Sequence, residues 1–467
     1  MTPYSSTLSS VLKDESRMEG KALWVSQPQS VGELLDSLKE AAEKGIDITV
    51  QGSRTGLAGG AVPAGGLALG LSKLKKSMEI KDGLLLASAS VALGEAKVYL
   101  KRQRLVFAAD PSEDEATLGG LFATGARGLK TEPFGRQVQE LLWALPTGET
   151  LLARRGEACF DSTGIRIFNQ SIKCPVPVKS RFPGVPFQGQ DLIDFLSGSD
   201  GRLGIALNIK VKTFPKPKNS WAIAFFLKSE AQALSFAEAA SDASREFLKA
   251  LWIFDQNALS LLSKSRASLS GLKDIPEFPS DSDSAALAWL EGDDEEGIEL
   301  AMSGLLDLFS ESGGSESDTW AAEGIEAEKI APLKHLAEEA ANMELDKARL
   351  TSNAIRLSIE NSYGSPIKAF RDLGESLVQG YRILSVLDGR IHARLFALQD
   401  PGKLVLGYAL RALAEGGFFA SDYGLGKAKR DMAIDLASPQ EKECLMAIQQ
   451  AFDPASSMSN RFFRAAL

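Results

Sequence analysis

Cysteine is scarce in this chain, with only Cys159, Cys174 and Cys444. Their number is odd, their spacing is wide, and no CxxC occurs. Neither a disulfide framework nor a four-cysteine iron–sulfur cluster carried by this chain alone is expected. Histidine is scarcer still, with His335 and His392 alone. That argues against a zinc site of His and Cys, and it leaves few candidates for the commonest general base. An excess of positive charge is also missing. Lys and Arg number 52 against 61 Asp and Glu, a net charge of −9, so broad nucleic-acid binding is not expected. No apolar run approaches the length needed to cross a bilayer. The opening MTPYSSTLSSVLKDESRMEG lacks the apolar stretch of a secretory signal. The expectation is a cytoplasmic protein with no membrane span, peripheral to a membrane only through a partner.

What is present is ordinary for a globular enzyme. The chain has 467 residues, 44% of them apolar and 24% charged, which suits two or three domains. Residues 31–45 carry apolar positions at helical spacing and stop at Gly45. IDITVQG alternates like a strand, and GLALGLSKL and GLLLASASV continue the theme. LGEAKVYLKRQ reads as a helix and RQVQELLWALPTGETLLA as strand, turn, strand. ALNIKVKTFPKP is a strand closed by prolines. Further on, WAIAFFLK, ALWIFD and ALAWLEGD read as strands. They are separated by the helical patterns of residues 230–248 and GIELAMSGLLDLF. Residues 264–285 and SESGGSESD read as loops. The expected fold class is α+β: a first domain over 1–215, a second with a mostly antiparallel sheet over 216–405, and a helical C-terminal segment over 406–467.

Four small-residue stretches stand out. Gly52-Ser-Arg-Thr-Gly-Leu-Ala-Gly-Gly60 follows a strand directly. Glycine there lets backbone N–H groups converge on an anion such as a phosphate. It matches neither GxxxxGK[ST] nor GxGxxG. Then come DPSEDEATLGG, ATGARG and GSDGRLGI. Several close backbone approaches to one extended ligand explain such a set better than plain turns do. In this order, VQGSRTGLAGGAVP, DPSEDEATLGG, ATGARG and GSDGRLGIALNIKVKTFPKP resemble the FAD-linked oxidases of the vanillyl-alcohol oxidase and p-cresol methylhydroxylase superfamily. The D-lactate dehydrogenase and glycolate oxidase branch is the most similar.

The resemblance implies a two-subdomain FAD-binding domain of the p-cresol methylhydroxylase type, with an α/β cap domain. Gly52, Ser53, Arg54, Thr55, Gly56, Leu57 and Ala58 would wrap the FAD pyrophosphate. Pro111, Ser112, Thr117, Leu118, Gly119, Gly120, Ala123, Thr124 and Gly128 would line the flavin and ribityl region. Gly204 and Ile205 would supply backbone contacts to the adenine side or the ring edge. Asn460 stands where the family has a tail returning to the flavin, with Arg461-Phe462 in place of its Pro-Gly. Arg127 occupies the region where covalent members carry a flavin-linking His, so the implied cofactor is non-covalent FAD.

On the substrate side the resemblance is to a frame with exchanged ligands. In SVLDGRIH, Ser385 and Arg390 replace a His and an Asn of the family segment, while Asp388, Gly389 and His392 are kept. In GGFFASDYGLGK, Asp422 and Tyr423 replace Glu and His. Glu323 stands near Trp320, where an Arg would hold a substrate carboxylate. A metal needs several convergent ligands, so no metal is expected. His392 is the candidate base, with Tyr423 as a hydrogen-bonding group. Arg390 or Arg394 would grip a carboxylate in a bidentate fork. The implied activity is oxidation of a small 2-hydroxy acid by hydride transfer to the flavin. Electrons would pass to an iron–sulfur subunit, an electron-transfer flavoprotein or a quinone, within an oligomer or complex. The lost ligands support another reading, an FAD-bearing electron-transfer or structural subunit of a multi-subunit oxidase.

Overall fold

The computed structural model describes residues 1–463, apart from 168–169, 181, 183, 242–245, 351–354, 377–379, 398–401 and 421–422. By contacts the chain divides into two units. The first contains residues 1–127, 132–215 and 422–467, and the second 128–131 and 216–421. The C-terminal segment expected from 406 is therefore shared. Residues 406–421 pack with the second unit and 422–467 with the first.

The first unit holds two main sheets. In the four-stranded one, Ile48–Gln51 and Trp24–Ser26 both run parallel to Leu67–Gly70, and Thr2–Pro3 closes the edge. The β-branched run Ile48-Thr49-Val50 suits a buried strand. The helix Val31–Glu43 returns over this sheet, and its Leu34, Leu38 and Ala41 are wholly buried. Ser30 caps it by accepting from the Glu33 N–H at 3.2 Å, while Glu33 reaches back to the Gln29 N–H. The other sheet has five antiparallel strands in the order Met78–Lys81, Leu84–Ser88, Ile205–Lys212, Val138–Ala144, Thr150–Arg154. Trp143, Phe122 and Phe134 fill the core beneath it. The ATLGG run, a small-residue stretch in the sequence, opens a helix. Thr117 accepts from the Gly120 N–H at 3.1 Å, so Leu118–Thr124 forms a short helix that ends at Gly125 in the left-handed region.

The second unit is one seven-stranded antiparallel sheet with helices. The order is Thr319–Glu323, Asn219–Leu227, Ser284–Gly292, Leu248–Phe254, Gly380–Ser385, Arg390–Ala397, Ile355–Ser362. Helical spacing over 230–248 was only partly realised. The helix is described over Glu230–Ser241, and Leu248 opens a strand paired with Ser284–Gly292. Tertiary pairing of the apolar run LKALWIF outweighs local helical periodicity there. The helices Gly324–Ile330 and Leu333–Arg349 and the last three strands of the sheet order lie in a stretch whose pattern alone suggested no elements. No helix among the described residues is long and apolar enough to cross a membrane.

Candidate functional site

The first unit gathers the small-residue loops into one place. A Cβ on Gly52 would stand 2.7 Å from Thr117 Oγ1, so the 52–58 loop lies against the start of the ATLGG helix. Gly125 and Gly198 approach each other closely, and the Asp200 N–H donates to the Ala123 carbonyl at 2.7 Å. Asn460 Nδ2 donates to the carbonyls of Gly60 and Asp200 at 2.8 and 2.9 Å. Four segments far apart in sequence thus share one cluster.

Its surface fits an anionic, extended cofactor. Among the described residues, the backbone N–H groups of Ser53, Arg54, Thr55 and Gly56 donate to no acceptor. Successive N–H groups on a turn form an anion nest. Arg54 is held at φ +62°. A Cβ on Gly56 would meet nothing within 4 Å, and one on Gly120 would meet only Thr117 Oγ1. Asn460 is 7% exposed, and its Oδ1 has no partner within the chain. These residues could hold FAD, the nest receiving a pyrophosphate.

Not every residue expected there points that way. Leu118 is fully buried in the sheet core. A Cβ on Gly119 would meet Ala89 Cβ at 2.8 Å, so that glycine serves helix-on-strand packing. Gly204 lies at φ +137°, with its Cα pressed on the Trp143 indole and the Ala144 carbonyl, and Ile205 is buried beside Leu207. Pro111 is buried and its carbonyl accepts from Lys97 Nζ at 2.9 Å, while Ser112 is exposed. Thr124 Oγ1 donates to the Gly120 carbonyl at 2.9 Å. Gly128 packs with the second unit.

The stretch GGFFASDYGLGK spans the passage between units. Its first half is tied to the strand Ile355–Ser362 through Phe418 N–H on the Ser362 carbonyl and Ala420 N–H on Asn361 Oδ1. Its second half belongs to the first unit. Gly426, at φ +49°, lets the chain press on the Ala58 carbonyl, and Lys427 Nζ donates to the Val62 carbonyl. Burial pushes the Lys427 amine down to about 8. Tyr423 is half-buried in the first unit at φ +61°. Asp422 lies outside the described residues.

In the second unit, Arg390, His392 and Arg394 alternate onto one face of their strand, and all three are at most 1% exposed. Cross-strand partners share that face. Arg390 lies opposite Ser385 and Ser362, and His392 opposite Ile383 and Glu360. Arg390 Nε bonds Asp388, and its guanidinium sits 5.4 Å from the Trp252 ring centre. The His392 ring lies 5.4 Å from the same indole, and Lys334 Nζ 5.5 Å from it. Arg394 divides its guanidinium between Glu360 and Glu338, the latter at 3.1 Å. The structure therefore brings Arg390 and His392 together, while Tyr423 belongs to the other unit. Among the described residues no group of three His, Cys, Asp or Glu side chains converges as metal ligands do. Sequence reasoning missed Trp252, Glu338, Glu360 and Lys334. Glu338, Glu360 and Lys334 offered only charge, which reads equally as a solvated face, and Trp252 only an apolar position in the strand ALWIFD.

Comparison with known proteins agrees with this geometry. Residues 22–153 match the FAD binding domain family. A D-lactate dehydrogenase of Anaerostipes hadrus is 23% identical over 94% of this chain and 90% of its own length. An uncharacterised FAD-linked oxidoreductase of Mycobacterium tuberculosis is 24% identical, again over 94% and 90% of the two chains. The crystal structure of 6-hydroxy-D-nicotine oxidase from Arthrobacter nicotinovorans superposes with a TM-score of 0.63 at 14% identity, covering 99% of this chain and 96% of that one. That likeness is one of fold. The chain is an FAD-dependent oxidoreductase, and its residues 22–153 carry the FAD binding domain.

Proposed function

We propose that this chain oxidises a small 2-hydroxy acid of the D-lactate or glycolate type, using non-covalent FAD and no catalytic metal. The observation that carries the reading is the buried lane of Arg390, His392 and Arg394 along one face of a single strand. Burying ions is costly, so such a lane is kept for a purpose. FAD, when bound, supplies the hydride acceptor. His392 takes the proton of the substrate hydroxyl. Arg390 orients the carboxylate, because Arg394 is already held by two carboxylates. Arg390, Arg394 and Lys334 are matched in charge by Asp388, Glu360 and Glu338. With His392 neutral the lane is balanced, and the imidazolium formed on proton transfer offsets the substrate's negative charge. Arginines also hold Asp388 and Glu360, the latter directly across from His392 in the sheet, which disfavours a cation there. D-lactate dehydrogenase as the name of a full-length relative supports the substrate class.

Electrons would leave to an iron–sulfur subunit, an electron-transfer flavoprotein or a quinone. The replacement of family ligands by Ser385 and Arg390 favours a second reading. In it the chain is an FAD-bearing electron-transfer or structural subunit of a larger oxidase. Anaerobic addition of D-lactate, glycolate or 2-hydroxyglutarate to the purified chain separates the two. Bleaching of the flavin absorbance by one of them supports the dehydrogenase. Bleaching by dithionite alone supports the subunit.

A further inference from the structure

A carboxylate at the centre of the first unit has no role assigned so far. Asp200 is 7% exposed and sits at φ +56°, a conformation that costs a non-glycine residue on the order of 1 kcal/mol. Burial pushes its carboxyl up to about 6, with Arg202 pulling it back. Two unfavourable features at one residue call for a compensating gain.

The gain lies in what Asp200 touches. Its N–H donates to the Ala123 carbonyl at 2.7 Å, in the ATG segment. Its carbonyl accepts from Asn460 Nδ2 at 2.9 Å, and the same amide holds the Gly60 carbonyl. Its Oδ2 accepts from the Gly426 N–H at 2.6 Å. Its Oδ1 stands where side chains on Gly60 and Gly424 would otherwise reach, 2.9 and 3.1 Å from their ideal Cβ positions. One residue therefore joins the phosphate loop, the ATG segment, the GLGK segment and the C-terminal tail. Without its carboxylate, the Gly426 N–H is left buried and unpaired, and the space beside Gly60 is empty. The phosphate loop then loses the wall that sets its backbone path. Arg202, Lys429 and Asp14 are the charged groups bearing on it, and each is buried.

We propose that Asp200 is the positioning residue of the FAD site, an acceptor that locks the 52–60 loop into its anion-binding shape through Gly60, Gly426 and Asn460. Asp200 acts through these neighbours, and the proposal holds for any substrate.

The test is FAD binding to apoprotein, followed by quenching of flavin fluorescence, alongside apoprotein thermal unfolding. Asp200→Asn keeps an acceptor for the Gly426 N–H and should bind FAD within about three-fold of wild type. Asp200→Ala should weaken FAD binding at least about ten-fold, since a buried donor is left unpaired. A purely structural role would lower the Tm of Asp200→Ala while leaving the Kd of the folded protein unchanged, and that result overturns the proposal. Should Asp200→Ala fail to fold, Gly60→Ala takes its place. Its Cβ would stand against Oδ1 and should weaken FAD binding several-fold. Gly60→Ala binding FAD as wild type does would equally overturn the proposal.

Discussion

At the scale of single residues, the second unit shows what burial demands of charge. Arg394 has no exposed surface, and two carboxylates satisfy it. Removing one partner leaves an uncompensated ion, so Glu360→Ala should destabilise the protein by about 3–5 kcal/mol. Denaturant melts of wild type and variant check this. His392 lies among these groups as the proposed base. His392→Ala should slow flavin reduction by substrate by about 10²–10⁴-fold. Stopped-flow absorbance measures it, and an unchanged rate would make His392 a packing residue beside Trp252. Gly204 illustrates a different constraint. A methyl group there would meet the Ala144 carbonyl at 2.3 Å, at a φ of +137°. Gly204→Ala should cost stability on the order of 1–3 kcal/mol or more, read as a lower Tm.

At the scale of elements, the short helix Leu118–Thr124 and the GLGK turn do the positioning. Thr117 both caps the helix and abuts Gly52, so one hydroxyl couples local helix geometry to the phosphate loop. The face at Gly120 is open beyond Thr117 Oγ1. Gly120→Trp should fill that space and abolish flavin retention, visible as colourless purified protein. Yellow protein with full flavin content would move the cofactor elsewhere. The GLGK turn was legible as glycine-rich, and its resemblance to a catalytic segment was legible too. Its structural task was not, because that task depends on Ala58 and Asp200, which are distant in sequence.

At the scale of the whole molecule, ligand linkage and pH act together. FAD binds the folded chain only, so saturating FAD at about 100 times its Kd should add about 2.7 kcal/mol of stability. Thermal melts with and without FAD test this. Precipitation in acid should release the colour completely, since Arg127 offers no atom for a covalent flavin link. Asp200 and Lys427 contribute to the pH dependence, and Asp255, which burial also pushes up to about 6, acts in the same window as Asp200. The Asp200 carboxyl rises from 3.8 to about 6 on folding. The folded chain therefore holds that proton more tightly, and stability contributed by Asp200 falls as pH rises through this window. The melting temperature of apoprotein should fall relative to Asp200→Asn between those values and then run level with it. Lys427 shifts the other way, from 10.5 to about 8, so its burial cost is full below about 8 and fades as pH rises above it.

Sequence alone determined the class of cofactor and much of the first domain. Glycine and small-residue order along the chain is a local property, dictated by where the backbone must turn or approach a ligand. The strands Ile48–Gln51 and Ile205–Lys212 and the helices Val31–Glu43 and Leu93–Arg102 were equally visible, through hydrophobic period and caps. Only the tertiary structure decided which of those glycines face open space and which face a neighbouring carbonyl or indole. It alone placed Glu338 and Glu360 on Arg394, and Asp200 between four segments. Those relations join residues up to hundreds of positions apart, and they arise from sheet register and packing, which no local pattern encodes.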